Sequence, residues 1–146
     1  MTDIHKVAEI LGGNLLRERV RTPTELLRRL QRGLPASTAR RVARYVGRSP
    51  AEARRVERVV APRATLERRL RDGQPLTLEE SERAERIARL MALAERVLES
   101  AEEARAFLQT PHALFGGRPP IELARTDLGA RQVEDVLWKL EYSLPV

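Results

Sequence analysis

The sequence predicts an all-α fold, and three features of the chain support this prediction. The composition is 42% hydrophobic but only 3% aromatic, with 33% charged residues, which is typical of helices rich in Ala, Leu and Arg. Apolar residues recur at helical spacing between glycines and prolines. Capping-box patterns, in which a Ser or Thr precedes a Glu by three positions, mark several predicted helix starts: Thr22, Ser49, Thr77 and Ser100.

The first predicted helices are short. Val7, Ile10 and Leu11 predict a helix that ends at Gly12 and Gly13. Thr22 and Pro23 then open a second helix, which we expect to end at Gly33.

The next three helices have the lengths and breaks of a helix-turn-helix. Ser37 is the predicted cap of one helix, and Ser49 with Pro50 opens another. Pro62 breaks that helix, and Arg63–Asp72 forms a third that ends at Gly73. Two short helices joined by a tight turn, the second rich in arginine, fit the geometry in which the second helix enters the major groove of DNA.

A long helix is predicted from Thr77 to Leu98. Its apolar positions spread over more than one stripe, so neighbours should cover it on both sides, either within its own chain or from a second subunit. We expect a homodimer, because two-fold symmetry would place two recognition helices on successive turns of DNA.

Residues 108–123 are the densest cluster of chain-turning residues. Glycines and prolines alternate there with the apolar residues Leu114, Phe115 and Ile121, which predicts a rigid connector that is not helical. A helix over Ala101 to Gln109 should precede this connector, and a short helix and then a final helix over Ala130 to Glu141 should follow its glycine-proline turn.

The charge is divided between the two halves of the chain. Of the net charge of +6, residues 1–75 carry +10 and residues 76–146 carry −4. We therefore expect a helix-turn-helix DNA-binding domain over 1–75, and a second part over 76–146 that consists of a central helix and a dimerisation domain. The alternative from charge alone is that the arginines form only solvated helix faces.

The sequence gives little support to catalysis. Without cysteine there is no thiol nucleophile, and His5 and His112 stand outside the metalloprotease and hydrolase patterns. We therefore predict a binding protein that is not an enzyme and needs no metal or cofactor. No apolar run approaches the ~18 residues of a transmembrane helix, and the first residues lack the apolar region of a signal peptide, so we expect a cytoplasmic protein.

The C-terminal motifs resemble a known family. The runs FLQTP at 107–111, ALFGGRPPIEL at 113–123 and GARQVEDVL at 129–137 are similar to the toxin-binding domain of the Xre/MbcA/ParS antitoxins. The resemblance extends to Gly33-Leu34-Pro35, to PRATLERR at 62–69 and to LTLEESER at 76–83.

This resemblance implies a Cro-like DNA-binding fold and a type II antitoxin that represses its own operon by binding operator DNA. It also implies that residues 76–146, with the central helix, form the toxin-binding or dimerisation domain. It also implies a cognate toxin of the RES-domain type, which consumes NAD or transfers ADP-ribose, and an antitoxin that occludes the active site of that toxin.

Two sets of binding residues follow from the motifs and the charge pattern. The predicted DNA-binding residues lie on the second and third helices of the helix-turn-helix region: Arg54, Arg55, Arg63, Thr65, Arg68 and Arg69. The structural alternative for Arg68 and Arg69 is a salt bridge to the acidic helix that follows. We call residues 115–119, around Gly116 and Gly117, the glycine turn. The predicted toxin-binding residues lie in this turn, on the last helix and in the tail: Phe115, Gly116, Gly117, Arg118, Pro119, Trp138, Tyr142, Ser143, Leu144, Pro145 and Val146.

Two other functions stay open at this stage. One is a stand-alone helix-turn-helix transcriptional regulator whose C-terminal half serves dimerisation. The other is a structural adaptor with negligible affinity for DNA. A toxin gene next to this reading frame would favour the antitoxin.

Overall fold

The computed structural model describes residues 3–143 and shows helices without strands over that range. The only strand-like pairing among these residues is an isolated bridge between His112 and Arg118. The all-α prediction is confirmed. The elements, in chain order, are α1 (Ile4–Arg19), α2 (Pro23–Arg32), α3 (Ser37–Val46), α4 (Pro50–Val60), α5 (Arg63–Asp72), α6 (Leu78–Leu98), α7 (Ala101–Gln109), two short 3-10 helices (Ala113–Phe115 and Pro120–Arg125) and α8 (Asp127–Glu141).

Side-chain caps fix most helix starts where the sequence predicted them. The hydroxyl of Thr22 accepts a hydrogen bond from the backbone N–H of Glu25, and Ser49 accepts one from Glu52 in the same way. At the start of α6 the box is complete, since Thr77 and Glu80 each accept from the backbone of the other. Such caps stabilise a helix by about 1 kcal/mol each.

Three helix boundaries differ from the predictions. Helical structure in α1 continues to Arg19, with a break at Gly13, where φ is 71°. Ser37 is not a cap, because the chain already turns at Ala36 and Ser37 is the first residue of α3. The last helix begins at Asp127, three residues before Ala130, because Thr126 caps it.

Helix α6 is the centre of a single hydrophobic core. Helices α1 to α4 pack on one part of its surface, and α7, the second 3-10 helix and α8 pack on the rest. Ile87, Leu90 and Met91 are completely buried as a result. The broad apolar face of α6 is therefore covered by its own chain and does not require a second subunit.

The N-terminal and C-terminal halves are tied directly to α6. The backbone N–H of Leu34, between α2 and α3, donates to the hydroxyl of Ser81 at 2.9 Å. On the other side, the guanidinium of Arg86 donates to the carbonyl oxygens of Ala124 and Arg125 at 2.8 and 3.0 Å. These bonds fix the two candidate binding surfaces relative to the same helix.

No helix within residues 3–143 combines the length and the apolar character needed to cross a bilayer.

Candidate DNA-binding and toxin-binding surfaces

A tight turn joins α4 to α5, as the sequence predicted. Helix α4 ends at Val60, Ala61 is buried, and Pro62 leads into α5, which ends at Gly73 with φ of 64°. Helix α5 buries little of its own surface: Leu66 is 2% exposed and Leu70 is partly buried against the core. Most of α5 therefore faces solvent, as a helix that enters a DNA groove must.

Three of the predicted DNA-binding arginines are exposed. Arg54 lies on α4, and Arg63 and Arg68 lie on α5, while Thr65 is partly buried beside them. The Arg63 side chain is 80% exposed, and its Nε lies 3.0 Å from Oε1 of Glu67, one turn further along α5. Glu67 offsets part of the positive charge of this helix.

Arg69 lies on the inner side of α5 and pairs with the next helix. Its Nε is 2.8 Å from Oε1 of Glu80, its Nη2 donates to Oε2 at 3.2 Å, and the two side chains are only 16% and 9% exposed. Glu80 is also the residue of the α6 capping box whose carboxylate accepts from the backbone N–H of Thr77. The structure thus gives Arg69 the alternative role, a salt bridge to the acidic helix, and we remove it from the proposed DNA surface.

Arg55 is directed toward the C-terminal half of the chain. Its Nη1 donates to both the backbone and the side-chain oxygens of Gln109, at 3.0 and 3.1 Å. The buried Gln109 amide donates in turn to the carbonyl of Val46 at 3.4 Å. Because these bonds join α4 to the ends of α7 and α3, we assign Arg55 a structural role and remove it too from the proposed DNA surface.

The glycine turn has a buried base and an exposed tip. His112 pairs with Arg118 across the turn, and its Nδ1 accepts from the N–H of Leu114 at 3.1 Å. The ring of the exposed His112 also lies beside Phe107 and Phe115, with ring centroids 6.5 and 5.6 Å away. Gly116 and Gly117, with φ of 67° and 76°, form the tip of the turn.

The predicted toxin-binding residues of this turn fall into two groups. Phe115 and Pro119 are buried and anchor the turn in the core. The exposed tip consists of Gly116, Gly117 and the Arg118 side chain, which is 56% exposed and pairs with Glu122 at 3.2 Å. Leu114, which the prediction did not include, is also exposed at 52%.

The end of α8 presents a second exposed surface. The rings of Trp138 and Tyr142 stack with their centroids 5.9 Å apart, and the guanidinium of Arg96 lies 5.5 Å from the centre of the Trp138 ring. Tyr142 is 63% exposed and Ser143 is exposed next to it. The remaining predicted toxin-binding residues, Leu144, Pro145 and Val146, lie outside the described residues.

These two surfaces have different structural neighbours. The turn is attached to α4, because Glu122 lies between Arg118 and Arg55, 4.0 Å from the Nε of Arg55. Trp138, in contrast, lies over Arg96 near the end of α6. The sequence did not predict Arg96 at this surface, because its position depends on the packing of α6 against α8.

Comparisons with known proteins agree with both parts of the structure. Residues 25–89 match the model of the antitoxin Xre-like helix-turn-helix domain. Residues 93–142 match the antitoxin Xre/MbcA/ParS C-terminal toxin-binding domain. The two matches together span most of the chain, from α2 to the end of α8.

A similar protein carries the name of the same family. The chain is 37% identical over 81 residues to the antitoxin Xre of Pseudomonas putida, an alignment that covers 56% of this chain and 51% of that protein. The chain thus spans about half the length of the relative it matches. With a helix-turn-helix domain and a toxin-binding domain that both match the same group, this chain belongs to the Xre/MbcA/ParS-type antitoxin family.

Proposed function

We propose that this chain is a type II antitoxin that neutralises a cognate toxin by direct contact and represses its own operon. The observation that carries the proposal is the presence of an exposed basic helix, α5, and two exposed C-terminal surfaces on one core. Residues 1–75 would bind operator DNA, and residues 76–146 would bind the toxin. Both activities are binding reactions, so the proposal needs no catalytic residue in the antitoxin.

The DNA-binding part of the proposal rests on the helix-turn-helix match and on the exposed residues Arg54, Arg63, Thr65 and Arg68. An arginine that bonds a guanine in the major groove contributes about 1–3 kcal/mol of base discrimination, whereas contacts to phosphate fix the register.

The toxin-binding part rests on the exposed tip of the turn and on the Trp138–Tyr142 stack. Partly exposed aromatic and arginine side chains are common at the centres of protein interfaces. From the family resemblance, we propose that the partner is a RES-domain toxin that degrades NAD or transfers ADP-ribose, and that the antitoxin occludes its active site.

We propose a homodimer as the DNA-binding form. The width of the apolar face on α6 no longer supports it, because the chain itself covers that face. The support that remains is general: helix-turn-helix proteins bind two half-sites about one helical turn apart. Sedimentation equilibrium of the purified protein, alone and with operator DNA, would distinguish a dimer from a monomer.

Removal of the tail tests the toxin-binding part. Deleting residues 143–146 should abolish neutralisation of the toxin and leave operator affinity unchanged, because the tail follows α8 and lies far along the chain from α5. Growth rescue on co-expression with the toxin and operator binding by fluorescence anisotropy measure the two activities. Full rescue by the shortened chain would contradict a role for the tail.

A further inference from the structure

A basic cleft lies between α3, α4 and the first turn of α5. It has a volume of about 370 Å³, and its floor includes the buried Leu66. Four arginines and two glutamates line its walls: Arg40, Arg54, Arg58, Arg63, Glu57 and Glu67. Neither Arg40 nor Arg58 is among the DNA-binding residues predicted from the sequence.

The two glutamates of the cleft leave part of its positive charge unpaired. Glu57 lies 3.7 Å from the Nε of Arg40, and Glu67 pairs with Arg63 at 3.0 Å. Over the described part of the chain, neither Arg54 nor Arg58 has a carboxylate within 4.0 Å of its guanidinium. Two arginines therefore face the cleft without a partner of opposite charge.

Arg54 and Arg58 are also spaced one turn apart on α4. Like charges at i and i+4 lie on the same face of a helix and repel each other. An anion between the two guanidinium groups would remove this repulsion. Guanidinium groups bind phosphate with two parallel N–H···O bonds, so a phosphate group is an anion that this pair of arginines can bind.

The position of the cleft favours a backbone phosphate of DNA over a free phosphate ion. It opens beside Arg63, at the start of the helix proposed to enter the major groove. Arg40 is 49% exposed and Arg63 is 80% exposed, so water competes strongly for a free phosphate ion. A phosphate of duplex DNA is held in place by the rest of the interface and has no such disadvantage.

We propose that this cleft binds a backbone phosphate of duplex DNA, and that Arg40 and Arg58 are DNA contacts that position α5 in the groove. The proposal rests on the DNA-binding function proposed above and adds a site to it. Because a phosphate contact reads no sequence, the loss of this site should weaken binding to operator and to unrelated DNA by similar factors.

The test compares two double variants that remove the same charge. Arg40→Gln with Arg58→Gln removes two charges from the cleft, and Arg131→Gln with Lys139→Gln removes two from α8. Anisotropy titrations over a range of salt concentrations would use a duplex from upstream of the reading frame and an unrelated duplex. For the cleft variant we expect several-fold weaker binding to both duplexes and a slope of log K against log salt smaller by about 1.

Each other outcome has a separate meaning. Equal slopes of log K against log salt for the two double variants would overturn the phosphate site. If that slope were unchanged in the cleft variant and NMR at constant ionic strength showed that inorganic phosphate binds the cleft, the cleft would be a site for a small anion and not for DNA. Absence of salt-dependent DNA binding by the unaltered protein would instead contradict the proposed function. The single variant Arg58→Gln, checked by thermal unfolding, keeps the test valid if the double variant does not fold.

Discussion

Arg68 and Arg69 are adjacent in the chain but occupy different environments. Arg68 is exposed on α5, while Arg69 is mostly buried and paired with Glu80. Charge composition and motif spacing cannot separate them, because helix α6, which decides the difference, is positioned by the core. The same holds for Arg55, whose partner Gln109 lies 54 residues away in the chain.

Substitution of Arg68 and substitution of Arg69 should therefore affect different properties of the protein. Arg68→Ala should weaken operator binding by about 1–3 kcal/mol if it contacts a base, with little change in stability. Arg69→Ala should lower the free energy of unfolding by about 1–3 kcal/mol, because it leaves the buried carboxylate of Glu80 without its charged partner. Urea unfolding and operator titrations measure the two effects. Equal losses of DNA affinity without any loss of stability would contradict this assignment.

Glu85 is a second residue whose environment can be tested. Glu85 lies on α6, and burial raises the pKa of its carboxyl group, although Nη1 of Arg89 lies 3.8 Å from its Oε1. A carboxyl group whose pKa is raised by folding favours the folded state below its unfolded pKa of about 4.3, and this contribution is lost as the pH rises through the folded pKa.

The neutral variant Glu85→Gln should accordingly be more stable than the unaltered protein at pH 7, and the difference should disappear near pH 4. Urea unfolding at both values of pH measures it, with Glu102→Gln on the exposed face of α7 as the control. A loss of stability at pH 7 would show that the attraction to Arg89 outweighs the cost of burying the charge.

At the scale of the helices, the sequence predicted which helices exist and their order more accurately than the residues at which they begin and end. Pro62, Gly33 and Gly73 lie at helix ends as expected, because their backbone constraints act locally. The start of α8 was predicted wrongly, because the residue three positions after Thr126 is Gly129 and not a Glu or Gln. Thr126 is nevertheless a cap, since its hydroxyl accepts from the N–H of Gly129 at 3.0 Å.

Gly129 has a further role that the motif pattern did not explain. A Cβ atom at this position would overlap the carbonyl oxygen of Leu123 and lie 2.9 Å from the Thr126 hydroxyl oxygen. Glycine thus allows α8 to start against the second 3-10 helix.

We expect Gly129→Ala to destabilise the protein by about 1–3 kcal/mol, since backbone atoms must move to admit the methyl group. The matched control is Gln132→Ala, an exposed position on the same helix, where the change should stay within about 0.5 kcal/mol. Thermal and urea unfolding of the two variants measure the difference. A Gly129→Ala protein as stable as its control would show that the contact with Leu123 is not restrictive.

At the scale of the whole molecule, helix α6 joins the half of the chain proposed to bind DNA to the half proposed to bind the toxin. The sequence predicted this helix and its wide apolar face but left open what covers it. The structure covers it with helices from both halves of the chain, because residues far apart in sequence bury Ile87 and Met91 together. The exposed basic helix and the exposed turn were predicted from local motifs, whereas the Arg55–Gln109 bonds and the basic cleft depend on the tertiary packing.

The central claim is that this chain neutralises a toxin by binding it, and co-expression with the product of the adjacent reading frame tests this claim most directly. Growth, cellular NAD and co-purification would be measured with the chain present and absent. We expect a stable complex, restored growth and, for a RES-domain partner, restored NAD. If no complex forms and growth is not restored while the protein still binds operator DNA, the account is contradicted and a stand-alone transcriptional regulator explains the chain better.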